Sequence, residues 1–335
     1  MGKLLPRITG LGYALPQTIR HNDDPIFNWL KKHITDGEKL FTGYHTRHVL
    51  KDEEELVSIM VHAAKKAMDH AGIVAADVDI LIGTGSMGQY TNPNELNALH
   101  KELGLPSSTW VIPTNCEFSH YNAALLFADS LLKAGRVKNV LICVGGSWTR
   151  NVSYHTPQSV SAADGAGAAV MHMSDDATCW SVTDYNTITD SKYYGTMFTK
   201  NEAVSWYDPH LKEQQLWTAP YFQITDDGIE GFKTFGMNTT PIAATAIMEK
   251  HNLKGSDICL ISHQASEVLM DNWNKVIAPS QYINTIETFA NMAPANIPVN
   301  LAWATEHEHF LQDNLVLLAI GPDMHANALL LQRGY

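Results

Sequence analysis

Apolar positions along the chain fall into two alternating patterns. Residues 78–85 ("VDILIGTG") and 139–146 ("NVLICVGG") are unbroken apolar runs ending in glycine, the pattern of strands covered on both faces. Residues 54–72 and 119–135 instead carry apolar positions at helical spacing. Leu56, Ile59, Ala63, Ala67 and Ala71 share one face, and Gly72 and Gly135 stand where helix C-caps belong. Strands alternating with helices predict an α/β fold with a largely parallel sheet.

The pattern then repeats. Residues 75–86 ("AADVDILIGTGS") line up with 255–266 ("GSDICLISHQAS") at a constant offset of 180. Further on, Asn115 and the run from Asn139 find counterparts in Asn291 and the run from Asn314, and each unit closes on a small-residue strand, "GAGAAVMHM" and "HANALLLQR". Two α/β halves in tandem are expected, residues 1–175 and 176–335. Sites in such folds lie on loops at the carboxyl ends of strands, and Cys116, His263 and Asn291 all fall on loops of that kind.

Composition narrows the class. The chain has 335 residues, 45% of them hydrophobic and 17% charged, enough for a large core and unlike a disordered chain. A net charge of −12 argues against a nucleic-acid surface. The four cysteines show no CxxC pairing, so neither a disulfide framework nor a zinc site is expected; Cys143 and Cys259 read as small buried thiols. The first residues lack the apolar centre of a signal peptide, and no apolar run reaches membrane-spanning length. A cytoplasmic protein without membrane association is the expectation.

The chemistry centres on "NCEFSHYNA", residues 115–123. A cysteine where a helix begins has its thiolate favoured by unpaired N–H groups and the helix dipole, and the polar flanks weaken a purely structural reading of Cys116. Taken singly, His263 at the end of a buried strand reads first as a structural or capping residue, and Asn291 as a turn residue ahead of Pro294. Taken together on mirrored loops they form a Cys/His/Asn candidate set. Glu117 beside the thiol is either an auxiliary acid or base or an ordinary first-turn acid. The histidines of "EHEHF" point apart at helical spacing, so no metal site is expected there.

In these segments the chain resembles the thiolase-fold condensing enzymes, above all the β-ketoacyl-acyl-carrier-protein synthase III group. The matching pieces, in the family's order, are "GYHTRHV" (43–49), "VDILIGTGS" (78–86), the segment around Cys116, "ADGAGAAV" (163–170), "LISHQAS" (260–266) and "NMAPANIP" (291–298). The resemblance implies a layered αβαβα arrangement. It also implies acyl transfer from a thioester to Cys116, with His263 and Asn291 stabilising the enolate of a malonyl-type second substrate as it loses carbon dioxide. Backbone N–H groups of Cys116 and Gly321 would form an oxyanion hole. No metal or organic cofactor is implied beyond the thioester carrier, an acyl carrier protein or coenzyme A, and a homodimer with the strand of residues 108–114 near its twofold axis is expected.

The departures point to specialised metabolism. Glu117, Phe118 and Ser119 replace the family's small residue, Gly and Phe, and Asp323 stands where a glycine is usual. Phe41 replaces an arginine that helps bind coenzyme A, and Trp29 lies further than usual from the turn after it. Trp29, Arg150 and Lys233 are the expected substrate- or carrier-binding residues, with Lys31, Lys32, Arg136 and Lys138 as further basic contacts. The aromatics Tyr193, Tyr194, Phe198, Trp206, Tyr207, Trp217, Tyr221 and Phe222 read as an acyl-tunnel lining or as core. The expected function is decarboxylative Claisen condensation. The alternatives are an acyltransferase that makes an ester, amide or cyclised product without decarboxylation, and a non-catalytic partner subunit.

Overall fold

The computed structural model describes residues 3–90, 92–199 and 221–334. Ten strands build two sheets. The first contains β1 (Leu5–Ala14), β2 (Ile80–Ser86), β3 (Trp110–Pro113), β4 (Asn139–Ser147) and β5 (Asp164–Ser174). The second contains β6 (Ser181–Thr189), β7 (Cys259–Ser262), β8 (Gln281–Ile283), β9 (Asn314–Ile320) and β10 (His325–Gln332). Their spatial orders are β1-β5-β4-β2-β3 and β6-β10-β9-β7-β8, the same arrangement executed twice. Six helices repeat likewise: α1 (Leu56–Ala71), α2 (Glu95–Leu103) and α3 (His120–Lys133), then α4 (Thr240–Lys250), α5 (Glu267–Ile277) and α6 (Asn296–His307).

Each sheet is mixed rather than largely parallel. The β2–β3 and β2–β4 pairs run parallel, while β1–β5 and β4–β5 run antiparallel, and the second sheet follows suit. A buried apolar run reveals burial on two faces, not the direction of its neighbour.

Alternation along the strands explains the layering. Ile80 and Ile82 face an interior they share with Tyr121, Leu125, Ile297 and Leu301 of α3 and α6, whereas Leu81 turns outward to α1 and α2. In the second sheet Leu315 and Leu317 face the same interior, and Val316 and Leu318 turn outward to α4 and α5. Helices α3 and α6 thus lie between the sheets and the other four cover the outer faces, giving the αβαβα thiolase fold. The small residues of β5 let α6 approach closely: a Cβ on Gly167 would lie 2.6 Å from the Pro298 backbone. Cys143 and Cys259 are fully buried strand residues. Among the described residues no helix is long and apolar enough to cross a membrane.

Candidate active site

Three loops at the carboxyl ends of strands, together with the β9–β10 hairpin, converge on one cavity of about 650 Å³, a size usual for small-molecule sites. Glu117 and Phe118 follow β3, His263 follows β7, Asn291 follows β8, and Pro322 comes from the hairpin. Much of the remaining wall is apolar, including Leu40, Trp148, Val160, Phe198, Phe222 and Phe232.

His263 is 2% exposed, and its ring stacks on Phe118 with centroids 4.7 Å apart. Burial drives its pKa down to about 3, so the imidazole is neutral at physiological pH. Asn291 is fixed through its backbone, its N–H donating to Ser161 at 2.8 Å and its carbonyl accepting from Ala163 at 3.0 Å. Its side-chain oxygen accepts from the Ala293 N–H at 2.9 Å, which leaves the NH2 as the donor for a ligand. Gln264 ties the two loops together. Its Nε2 donates to the Ala290 carbonyl at 2.7 Å, and its Oε1 accepts from the Thr285 N–H and from Asn300 Nδ2. This buried clamp escaped the sequence reading because every partner is distant in sequence.

The nucleophile segment departs from expectation. Helix α3 begins at His120, and Cys116 lies in the turn ahead of it, closed by the Ser119 N–H donating to the Cys116 carbonyl at 2.5 Å. The helix start therefore does not act directly on the thiol. Burial raises its pKa, and the carboxylates of Glu117 and Asp323 raise it further. The thiol is protonated at neutral pH and needs a proton acceptor when it reacts.

Glu117 points toward the site, not away as a surface acid. Burial lifts its pKa to about 7; His325 opposes that rise and Asp323 adds to it. With 39% of its side-chain surface still accessible, it is crowded by protein yet open to the cavity. Its Oε1 lies 3.7 Å from His120 Nε2. Burial holds His120 near 4, so this contact is not an ion pair at neutral pH.

Gly321 is required sterically: a Cβ there would meet the Glu117 carbonyl oxygen and the His325 ring at 2.0 Å each. Its N–H already donates to the His325 carbonyl at 2.8 Å, which corrects its expected place in an oxyanion hole.

The expected binding residues divide. Trp29 stacks between His33 and His155, away from the cavity wall. Arg150 donates to the Lys51 and Glu54 carbonyls and holds the start of α1 rather than a substrate. Lys233 is exposed on a wide helical turn at Phe232–Thr239. Arg136 and Lys138 precede β4 and lie at the opposite sheet end from the site. Lys39 lines the cavity instead, paired with Asp36 at 2.8 Å. Phe41 is a core residue against Phe27. Of the aromatics, Phe198 and Phe222 line the cavity and Tyr194 is exposed; Trp206, Tyr207 and Trp217 lie outside the described residues.

The comparisons with known proteins agree with this architecture. A family model for 3-oxoacyl-[acyl-carrier-protein] synthase III matches residues 115–191, the stretch that begins beside Cys116. The β-ketoacyl-[acyl-carrier-protein] synthase III of Brucella anthropi is 26% identical over 97% of this chain and 98% of its own. Among solved structures, the 3-oxoacyl-[acyl-carrier-protein] synthase III of Aquifex aeolicus superposes with a TM-score of 0.82 at 22% identity, covering 98% of this chain and 99% of its own. The priming β-ketosynthase of the R1128 polyketide pathway gives 0.83 at 19%, covering 99% and 97%. Along nearly its whole length the chain is similar to β-ketoacyl-[acyl-carrier-protein] synthase III enzymes, and it shares the thiolase-like fold of their solved structures.

Proposed function

We propose that the protein is a decarboxylative condensing enzyme of specialised, polyketide- or fatty-acid-derived metabolism. The observation that carries this reading is the pair of donors, His263 and Asn291, which line one largely apolar cavity together with Glu117 and Phe118 of the nucleophile turn, on loops tied by Gln264. An acyl group passes from a carrier thioester to Cys116 Sγ. The thioester carbonyl of a malonyl-type substrate then lies against the His263 imidazole and the Asn291 NH2. As carbon dioxide leaves, these neutral donors stabilise the enolate oxygen. The carbanion attacks the acyl-Cys116 carbonyl, a carbon–carbon bond forms, and the thiolate departs.

The carrier is an acyl carrier protein or coenzyme A; Lys39 at the cavity, with Lys31 and Lys32 nearby in sequence, supplies positive charge for either. Strand β3 is an edge strand, and its Trp110 is 66% exposed, which suits pairing with a second copy. Incubation with acyl thioesters followed by a malonyl thioester tests the proposal: carbon dioxide and a chain-extended product should appear together. Acylation of Cys116 followed by transfer to an alcohol or amine, without carbon dioxide, would replace it with the acyltransferase reading.

Glu117 favours an additional proton transfer, because decarboxylation needs no base and this carboxyl is half-ionised near pH 7. Its ionised form, the one able to accept a proton, grows as pH rises through about 7. Such a base would promote enolisation and ring closure of the condensed product. Glu117→Gln should remove an inflection near that pH from the product-partition profile while leaving Cys116 acylation intact. An unchanged product profile would assign Glu117 to packing.

A further inference from the structure

The nucleophile turn also rests on a second polar chain. Asp323 Oδ1 lies 2.6 Å from His325 Nδ1, and His325 Nε2 lies 2.7 Å from Ser119 Oγ. Ser119 is 5% exposed, and its backbone N–H closes the turn onto the Cys116 carbonyl. The His325 ring is set in place by Gly321, whose missing Cβ makes room for it. The charge of Asp323 reaches the Cys116 thiol, and that of His325 reaches Glu117 and His120. A serine–histidine–aspartate chain running from the buried Ser119 out to the half-exposed Asp323 is more than the turn needs for its shape, which the backbone bond already closes.

We propose that His325, oriented by Asp323, is a positioning residue that exchanges the Cys116 thiol proton through the Ser119 hydroxyl during acyl transfer. This rests on the reading of Cys116 as the acyl acceptor. With Nδ1 donating to Asp323, the Nε2 of the ring is free to accept the Ser119 O–H. As Sγ attacks the thioester carbon, the thiol proton passes to Ser119 Oγ and the Ser119 proton to Nε2, leaving an imidazolium held by the Asp323 carboxylate. The Sγ–acyl bond forms, the carrier's C–S bond breaks, and the departing thiolate takes the proton back along the same path. No proton is gained or lost overall. The relay performs the task that a helix start directly at the cysteine would otherwise ease.

The test follows the single-turnover rate of acyl-Cys116 formation by intact mass at one fixed pH, in H2O and in D2O, so that a proton in flight registers as a solvent isotope effect. His325→Gln and Ser119→Ala should each slow acylation roughly 10²-fold and remove that isotope effect. Asp323→Asn, which leaves the ring and the hydroxyl in place, should slow acylation less and keep it. Slowing of His325→Gln and Ser119→Ala with the native isotope effect kept would reduce the chain to a structural role and overturn the proposal, as would native rates in both. Failure of the native chain to acylate with any donor would instead remove the underlying reading of Cys116.

Discussion

Cys116→Ala should abolish the mass gain expected of the native chain with an acyl thioester, and condensation should fall by on the order of 10⁴-fold or more. The effect is large because Cys116 is the only cysteine of the four on the nucleophile turn. Cys143 and Cys259 are sealed inside strands, and Cys179 sits between β5 and β6 beside Asp176. The cost in stability should stay within about 1 kcal/mol, since the removed thiol is half-buried in a polar turn. Intact mass and thermal unfolding of the two chains check both halves of this expectation. A mass gain that persists in Cys116→Ala would place the nucleophile elsewhere.

His263→Ala should separate the two chemical steps. Acylation of Cys116 should proceed, while the carbanion-forming step falls about 10²- to 10³-fold, the loss that follows removal of one preorganised oxyanion donor. Because burial holds His263 near 3, its native contribution should be constant across the neutral range; any inflection near pH 7 belongs to other groups. Burst kinetics with a radiolabelled donor, followed by a malonyl thioester chase, read the steps separately. Equal losses in both steps would mean that the variant has disturbed the cavity as a whole, through the Phe118 stack.

Much of this arrangement was legible in the chain. The runs that became β2, β4 and β9 declare burial on both faces, and the 180-residue offset foretells two sheets of identical order. Cys116, Glu117, His263 and Asn291 could be singled out because each interrupts a patterned segment with a chemically distinctive side chain. What stayed hidden depends on pairing across distance. Ser119 and His325 are 206 residues apart in the chain, and nothing local to "PDMHAN" announces that its histidine faces the nucleophile turn. The position of Cys116 in a turn, rather than in a helix, rests on one backbone hydrogen bond that propensity does not foresee. Arg150 looked like a carrier contact because a cation is legible in sequence, whereas the carbonyls that occupy it are not.

The repeated strand order also divides the labour of the proposed reaction. Cys116 follows β3 and Asn291 follows β8, the same place in each repeat, so equivalent loop positions carry chemically different side chains. In that reaction acyl capture falls to one repeat and carbanion stabilisation to the other. Because Gln264 ties the loops of His263 and Asn291 within the second repeat, changes at the nucleophile turn can alter the first step while leaving the donors of the second where they are.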